Sequence, residues 1–369
     1  MLLLAICFGT ALWHWWRIPG TRTTIPCKAA MLAWGGICIA SLAYTSDLAY
    51  TTGELKNELG YTLMAFFSFL VLAADRSAAI WLLRAVGGGL AFIGLWAALA
   101  WAGNGFVWAA DARYGGYGIF SAYLVTIVPA LTWLIFADPA SHVRKIGVGL
   151  LLLALFLAVI AMQRAAWPAL GVQALIIVFY AFRSRFVGIS RIWLIVSAIT
   201  IVVVASVGTH HVHQARGGGS GAQLTDDVRV GFWPKVVKKI AEHPLAGTGF
   251  GQRMMYKTYP EMTPVAIPDL WHAHNVLLNY GIQLGVPGII AFLLLLAAFA
   301  SMFMQAIVKG ETWTGIAGLA LIAGVLTRNQ FNDFFMRDMS LLFWVLMGIF
   351  ARLAVTAKQG NPHEQTSLA

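Results

Sequence analysis

The chain alternates between long apolar segments and short polar ones, and it contains a single long polar insert. A helix that crosses a bilayer needs about 20 mostly apolar residues, so the pattern predicts about eleven spans. They lie near 2–16, 28–46, 60–74, 78–102, 116–137, 145–162, 166–183, 190–209, 279–307, 313–327 and 340–356. The predicted fold is an all-α, polytopic transmembrane helical bundle of about 11–12 spans.

The polar insert covers roughly 210–271 and is the longest interruption of the apolar pattern. We expect it to be a loop domain with short helices outside the cytoplasm. The predicted organisation is an N-terminal transmembrane bundle over 1–209, a periplasmic loop domain over 210–273, C-terminal transmembrane helices over 274–356 and a cytoplasmic tail over 357–369.

Composition supports the membrane class. Apolar residues make up 59% of the chain and charged residues 11%, with a mean hydropathy of +0.75, whereas soluble domains carry about 25% charged residues. The net charge of +10 would suggest nucleic-acid binding in a soluble protein. Here anionic lipid and membrane topology explain it, so we expect membrane lipid and no nucleic acid as partners.

The cysteines do not predict a structural site. Cys7, Cys27 and Cys38 are odd in number and lack metal-ligand spacing, so we expect neither a disulfide framework nor a zinc site.

The distribution of basic residues predicts the orientation in the membrane. With the insert outside, most basic residues of the short connections are cytoplasmic, as the positive-inside rule requires. Arginines on the external side oppose this bias and need a partner or a role. Arg164, in MQRAAWPAL, has no acidic residue nearby in the sequence.

The run WHAHNVLLNYGIQLGVPGII at 271–290 begins polar and then becomes a span. We expect His274 on a helix at the external membrane surface, and Gly281 with Gly285 as a pair that lets a neighbouring helix approach closely. A histidine can take a proton from a hydroxyl at neutral pH. The alternative is an interfacial histidine that only binds backbone. A metal pair with His272 lacks the i,i+4 spacing and the carboxylate of helical zinc sites.

The stretch TDDVRVGFWPKVVKKIAEHPLAG at 225–247 predicts a short helix that Pro234 kinks or delays. Arg229 and Trp233 would share one face of it. A guanidinium suits bidentate binding of phosphate. The alternative is a surface arginine that pairs with Asp226 or Asp227.

Two more polar stretches adjoin predicted spans. HPLAGTGFGQ at 243–252 indicates a helix stop and a glycine turn, which can also turn backbone N–H groups toward an anion. TRNQFNDFFMRDMS at 327–340 links the last two spans. Either its charges pair with one another, or Arg328 faces the same external site as Arg164 and Arg229.

Together these stretches resemble the O-antigen ligase and polymerase superfamily of bacterial inner-membrane glycosyltransferases. The resemblance rests on RAAW at 164–167, the block from Arg229 to HPLAGTGFG, HNVLLNYGIQLGVPG at 274–288 and RNQFNDFFMRDMSLLFW at 328–344, the last of which is closer to the lipopolysaccharide ligases. It implies an inverting, metal-independent transfer of glycan from undecaprenyl pyrophosphate to a sugar hydroxyl of the lipid A core. The reaction would take place at the periplasmic face of the inner membrane without a cofactor.

The resemblance also implies residue roles. His274 would activate the acceptor hydroxyl, Arg164 and Arg229 would hold the donor pyrophosphate, and Arg328 would be an auxiliary contact. We add Asn275 and Arg253 as predicted substrate-binding residues and predict no metal site. The family usually has one span more and both termini in the cytoplasm, so the first helix is either absent from this chain or miscounted.

Two other functions stay open. One is an O-antigen or polysaccharide polymerase of the same superfamily. The other is a transporter for lipid-linked glycans, which needs access from both faces and commonly has broken helices at mid-membrane. The special residues of this chain crowd one face, which favours transfer over transport.

Overall fold

The computed structural model of this protein describes most of the chain as helix. The described residues are 1–17, 24–108, 110–111, 113–161, 163–183, 228–263, 271–331, 333, 335 and 337–356, and of 181–183, 228–230 and 337 the backbone alone. Within these ranges the chain contains α-helices, short 3-10 and π turns and one isolated β-bridge. The predicted all-α, polytopic fold is confirmed.

The helices of the described ranges are numbered here in chain order. They are α1 (Leu2–Arg17), α2 (Lys28–Ala40), α3 (Leu48–Glu54), α4 (Tyr61–Leu72), α5 (Arg76–Gly103), α6 (Tyr117–Ala137), α7 (Ser141–Ile160), α8 (Ala166–Arg183), α9 (Val228–Glu242), α10 (Met254–Thr258), α11 (Val276–Val308), α12 (Thr312–Arg328) and α13 (Arg337–Thr356). A π-helical turn, Leu55–Gly60, joins α3 to α4.

The predicted spans coincide with helices wherever the chain is described, and the one near 190–209 lies outside the described residues. In the described part of the chain, five helices are long and apolar enough to cross a membrane: Arg76–Gly103, Tyr117–Ala137, Ser141–Ile160, Val276–Val308 and Asp338–Thr356. Shorter apolar helices are Lys28–Ala43, Ala166–Tyr180 and Thr312–Arg328. The chain is therefore a multi-pass membrane protein.

Helix α12 occupies the centre of the bundle because small residues let its neighbours approach. It packs against α6, α8, α11 and α13. A Cβ atom at Gly315 would overlap α11, and one at Gly324 would overlap the side chain of Gln173 on α8. The Gln173 amide donates to the carbonyl oxygens of Val125 on α6 and Ala320 on α12, at 2.8 and 3.2 Å. Small residues and interhelical hydrogen bonds thus let these helices pack closely.

The two ends of the bundle differ in chemistry. At one end, Arg84 makes a bidentate ion pair with Asp138, with both N–O distances at 2.8 Å. Arg76 pairs there with Glu311 at 2.8 Å, and Arg352 donates to the Ala74 carbonyl oxygen. The opposite end carries the starts of α6, α8, α11 and α13, together with α9 and α10. The predicted site residues all belong to this second end.

Candidate functional site

Asn275 fixes the start of α11. Its Oδ1 accepts hydrogen bonds from the amides of Leu277 and Leu278, at 3.0 and 3.1 Å, as an N-cap residue does. Its Nδ2 donates to the Gln330 carbonyl oxygen at 3.1 Å. The Asn275 side chain therefore holds α11 against the end of α12. Its predicted contact with substrate stays a prediction.

His274 lies in a turn before α11 and not on the helix, so the expected helical position is wrong. Its φ of 52° is in the left-handed region, which a non-glycine residue adopts only where its surroundings impose it. The His274 N–H donates to Nδ1 of His272 at 3.2 Å. The two imidazole rings lie 3.8 Å apart between centroids at 34°, and both residues are more than nine-tenths buried.

Asn279, in the first turn of α11, fixes the backbone turn that contains His274. Its Oδ1 accepts the Ala273 N–H at 2.8 Å, and its Nδ2 donates to the Asp333 carboxylate at 2.6 Å. The other carboxylate oxygen of Asp333 accepts the Phe335 N–H at 3.0 Å. The histidine turn is thus tied to the loop between α12 and α13 through one buried amide and one buried carboxylate.

Asp333 and His274 interact electrostatically. Burial raises the pKa of the Asp333 carboxyl, while the hydrogen bonds from Asn279 and Phe335 and the positive charge of His274 oppose that shift. The site therefore places a buried acid within electrostatic reach of His274.

A column of stacked groups leads from Arg253 to His274. The Arg253 guanidinium lies 5.7 Å from the Trp271 ring centroid, and Trp271 lies 4.3 Å from the ring of His272. His272 in turn stacks on His274. The backbone N–H of Arg253 donates to the Tyr50 hydroxyl at 3.2 Å, and burial raises the pKa of Tyr50 to about 12. A neutral phenol thus holds one end of the column.

Gly285 interrupts α11. Its φ of 73° and ψ of −173° are not helical, and a Cβ atom there would lie 2.7 Å from the Pro244 carbonyl oxygen. The glycine-rich run 243–252 fills the break and replaces the lost helical hydrogen bonds. Its bonds to α11 are Thr248 N–H to Ile282 O at 2.9 Å, Gly249 N–H to Gln283 O at 3.0 Å, and Val286 N–H to Pro244 O at 2.8 Å.

This arrangement bears on two expectations. Gly281 lets a neighbouring helix approach closely, as predicted, because a Cβ atom there would lie 2.7 Å from the Ile240 side chain of α9, whereas Gly285 admits a loop into α11. The amides of residues 248–251 all donate to protein atoms and so are not available to an anion. The first two donate to the α11 backbone, the Phe250 N–H to Ser41 Oγ at 3.1 Å and the Gly251 N–H to Gln283 Oε1 of α11 at 2.8 Å. The run is a structural brace between α11 and the 41–54 region.

Helix α9 brings position 229 close to the histidine turn. The helix runs from Val228 to Glu242 and contains Pro234, so it is not delayed by the proline. The Trp233 indole N–H donates to the Ala273 carbonyl oxygen at 2.9 Å. Arg229 lies one helical turn before Trp233, on the same face. Asp226 and Asp227, the partners of the alternative ion pair, lie outside the described residues.

Arg164 lies in the short connection between α7 and α8. Helices α6 and α7 form an antiparallel hairpin, so α7 ends and α8 begins at the end of the bundle where α6 starts. Arg164 is half-buried, and within the described part of the chain its guanidinium has no hydrogen-bond or ion-pair partner. The structure therefore places an unneutralised cation at the same end of the bundle as His274.

A comparison with known protein families decides the class. Residues 149–293 match the family described as O-antigen ligase. This segment of the chain is therefore similar to a family of membrane glycosyltransferases. No curated protein matches the chain in sequence. The matched segment includes Arg164, Arg229, Arg253, His274 and Asn275, whereas Arg328 lies beyond it.

Arg328 lies inside the helix bundle and not at its surface. It is fully buried, and its guanidinium donates to Ser121 Oγ at 3.0 and 2.8 Å and to the Gly118 carbonyl oxygen at 3.0 Å. These bonds fix the end of α12 to the start of α6. An auxiliary contact with substrate stays a prediction, but the observed contacts are structural.

Several residues of the site were not predicted. They are His272 as a partner of His274, Asn279, Asp333, Tyr50 and Gln283. Asn279 and Gln283 are polar residues within an apolar helix, a signal that could have singled them out. Asp333 and Tyr50 come from distant segments and could not be connected to His274 in sequence. Among the described residues no group of three His, Cys, Asp or Glu is placed to hold a metal ion.

Proposed function

We propose that this protein is an O-antigen ligase that transfers a glycan from undecaprenyl pyrophosphate to a sugar hydroxyl of the lipid A core. Transfer takes place at the periplasmic face of the inner membrane, with inversion and without a metal ion. The observation that carries the proposal is the buried turn in which His274 is held by His272 and Asn279 and faces the charge of Asp333.

This turn suits a general base. A base must be held within hydrogen-bond reach of the proton it accepts, and the cap by Asn275 and the bond from Ala273 to Asn279 immobilise the backbone around His274. When His274 takes the proton of the acceptor hydroxyl it becomes an imidazolium. The Asp333 carboxylate stabilises that charge, in the way that a buried carboxylate supports a catalytic histidine elsewhere.

The arginines suit the leaving group. Departure of the glycan leaves negative charge on the pyrophosphate, and cations placed in advance stabilise that charge in the transition state. In the proposed mechanism Arg164 and Arg229 bind the pyrophosphate oxygens, and Arg253 and Asn275 contact the substrates near His274. Arg164 supports this assignment, because its charge is not neutralised within the described part of the chain.

A mainly apolar cleft next to the site suits a lipid-linked donor. Its apolar lining includes Trp34, Leu63, Phe292 and Trp344 and reaches Tyr280 and Phe335, and its polar lining is Glu58, Thr62 and Ser340. Tyr280 follows Asn279 in sequence, and the Phe335 amide bonds to Asp333. Leu63 is partly exposed on the outside of the bundle. A prenyl chain in this cleft would place its pyrophosphate close to the histidine turn.

The proposal is tested by transfer in vitro with purified protein, a lipid-linked glycan donor and lipid A core, in the presence of EDTA. We expect the glycan to become attached to lipid A core at an undiminished rate. A longer glycan that stays on undecaprenyl pyrophosphate would identify a polymerase instead. No product in EDTA, with product restored by a divalent cation, would refute the metal-independent mechanism, and no product under any condition would favour a transporter.

A further inference from the structure

His272 receives two N–H groups on one ring nitrogen. Its Nδ1 accepts the backbone N–H of His274 at 3.2 Å, and the Asn279 side-chain Nδ2 lies 3.4 Å from the same atom. Asn279 Nδ2 also faces the Asp333 carboxylate, which can only accept, so it is a donor. A ring nitrogen that accepts carries no proton. The contacts therefore assign His272 as a neutral imidazole with its proton on Nε2.

The surroundings of His272 determine what its protonation would do. The His272 ring contacts the rings of His274 and Trp271, at centroid distances of 3.8 and 4.3 Å, and the Arg253 guanidinium lies over Trp271. Asn279 connects Nδ1 of His272 to the Asp333 carboxylate. A second proton on His272 would point at two N–H donors and would break both contacts. It would also place a positive charge against the ring of His274.

We infer that His272 is a positioning residue for His274, and that it acts through an unprotonated Nδ1 and not through a metal or a reacting atom. The bond from His274 N–H to His272 Nδ1 holds the left-handed backbone of His274 and thereby fixes the position of the His274 imidazole. The inference rests on the proposed function, in which His274 accepts the hydroxyl proton.

Two substitutions of His272 distinguish the role of its acceptor atom from that of its ring. In His272→Asn, an amide oxygen takes a position close to that of Nδ1 and still accepts both N–H groups. In His272→Phe, the ring stack remains but the acceptor is lost. We expect kcat for glycan transfer to stay within about threefold of wild type in His272→Asn and to fall about ten- to a hundredfold in His272→Phe, because two buried donors lose their acceptor. The KM for the donor should be unchanged in both.

The matched control is His142→Phe, an exposed histidine at the opposite end of the bundle, which should retain full activity. If His272→Asn is as inactive as His272→Phe, the imidazole itself is required and the inference is wrong. If His272→Phe is as active as wild type, the Nδ1 contacts have no role, which also overturns it.

A measurement that needs no activity distinguishes this inference from the proposed function. Nitrogen-15 NMR of histidine-labelled protein at pH 7.5, with His272→Asn to assign the signal, should show His272 with an unprotonated Nδ1 and a protonated Nε2. The opposite tautomer, or an imidazolium, would overturn the inference even in a protein that transfers no glycan. Loss of wild-type transfer together with the expected tautomer would refute only the proposed function.

Discussion

The indole nitrogen of Trp233 donates a hydrogen bond of 2.9 Å to the carbonyl oxygen of Ala273. This bond joins α9 of the polar insert to the turn that holds His274. Arg229 precedes Trp233 by one helical turn, and Trp233 contacts the turn that contains His274. The proposed phosphate-binding arginine and the proposed base are therefore connected by one helix face and one hydrogen bond.

Trp233→Phe tests this connection. The phenyl ring keeps most of the packing, but the Ala273 carbonyl loses its donor, a loss worth about 1 kcal/mol. We expect glycan transfer to fall roughly fivefold with little change in thermal stability in detergent. Trp81→Phe, at an exposed position on α5, is the control and should transfer normally. Equal activity of both variants would mean that α9 does not position the turn.

His274→Ala tests the base. General-base assistance contributes about 10²–10⁴ in rate, so transfer should fall by that factor while the protein still elutes as a folded species. His142→Ala is the control, since His142 is exposed at the other end of the bundle. Transfer at more than a tenth of the wild-type rate by His274→Ala would assign the proton to another group.

Arg229→Lys and Arg164→Lys test the phosphate clamp. Lysine keeps the charge but cannot form two parallel hydrogen bonds to one phosphate. We expect each variant to lose about tenfold or more in kcat/KM for the donor, because hydrogen bonds to charged groups are worth about 1.5–3 kcal/mol. Arg113→Lys, which alters an exposed arginine paired with Asp111, should be unaffected. Full complementation of a ligase-deficient strain by Arg229→Lys would disprove the clamp.

Arg328→Lys should lower the stability of the protein, because the Arg328 contacts are structural. Lysine has one nitrogen where the guanidinium uses two, so the bond from Nε to Ser121 Oγ is lost and the variant should lose about 2 kcal/mol of unfolding free energy. The measurement is the thermal unfolding midpoint in detergent beside that of Arg164→Lys, which should unfold like wild type. An Arg328→Lys protein of normal stability but without transfer would instead place this guanidinium on the substrate.

Gly285→Ala should destabilise the break in α11. The left-handed backbone costs a non-glycine residue about 1–3 kcal/mol, and the added Cβ would lie 2.7 Å from the Pro244 carbonyl oxygen. We expect a lower unfolding midpoint and loss of transfer, since the glycine-rich run could no longer brace α11. Gly89→Ala is the control, because a Cβ there meets nothing within 4 Å. Normal stability of Gly285→Ala would show that α11 can close its break.

The helices could be predicted from sequence because the bilayer imposes a simple requirement. Each span needs a run of apolar residues of sufficient length, and such a run is visible whatever it packs against. The same reasoning placed Arg164, Arg229 and His274 at the ends of elements on one side of the membrane. The cap by Asn275 and the helix around Trp233 also follow from local residue types.

The sequence by itself determined the class of protein, the apolar helices and the side on which its unusual charged residues gather, since these depend on local composition and order. Only the tertiary structure decided that His274 lies in a left-handed turn, that Asp333 and Asn279 support it, and that a loop enters α11 at Gly285. Those features depend on contacts between residues as far apart as Ser41 and Phe250 or Asn279 and Asp333. No local pattern encodes such contacts, because they form only when the helices pack.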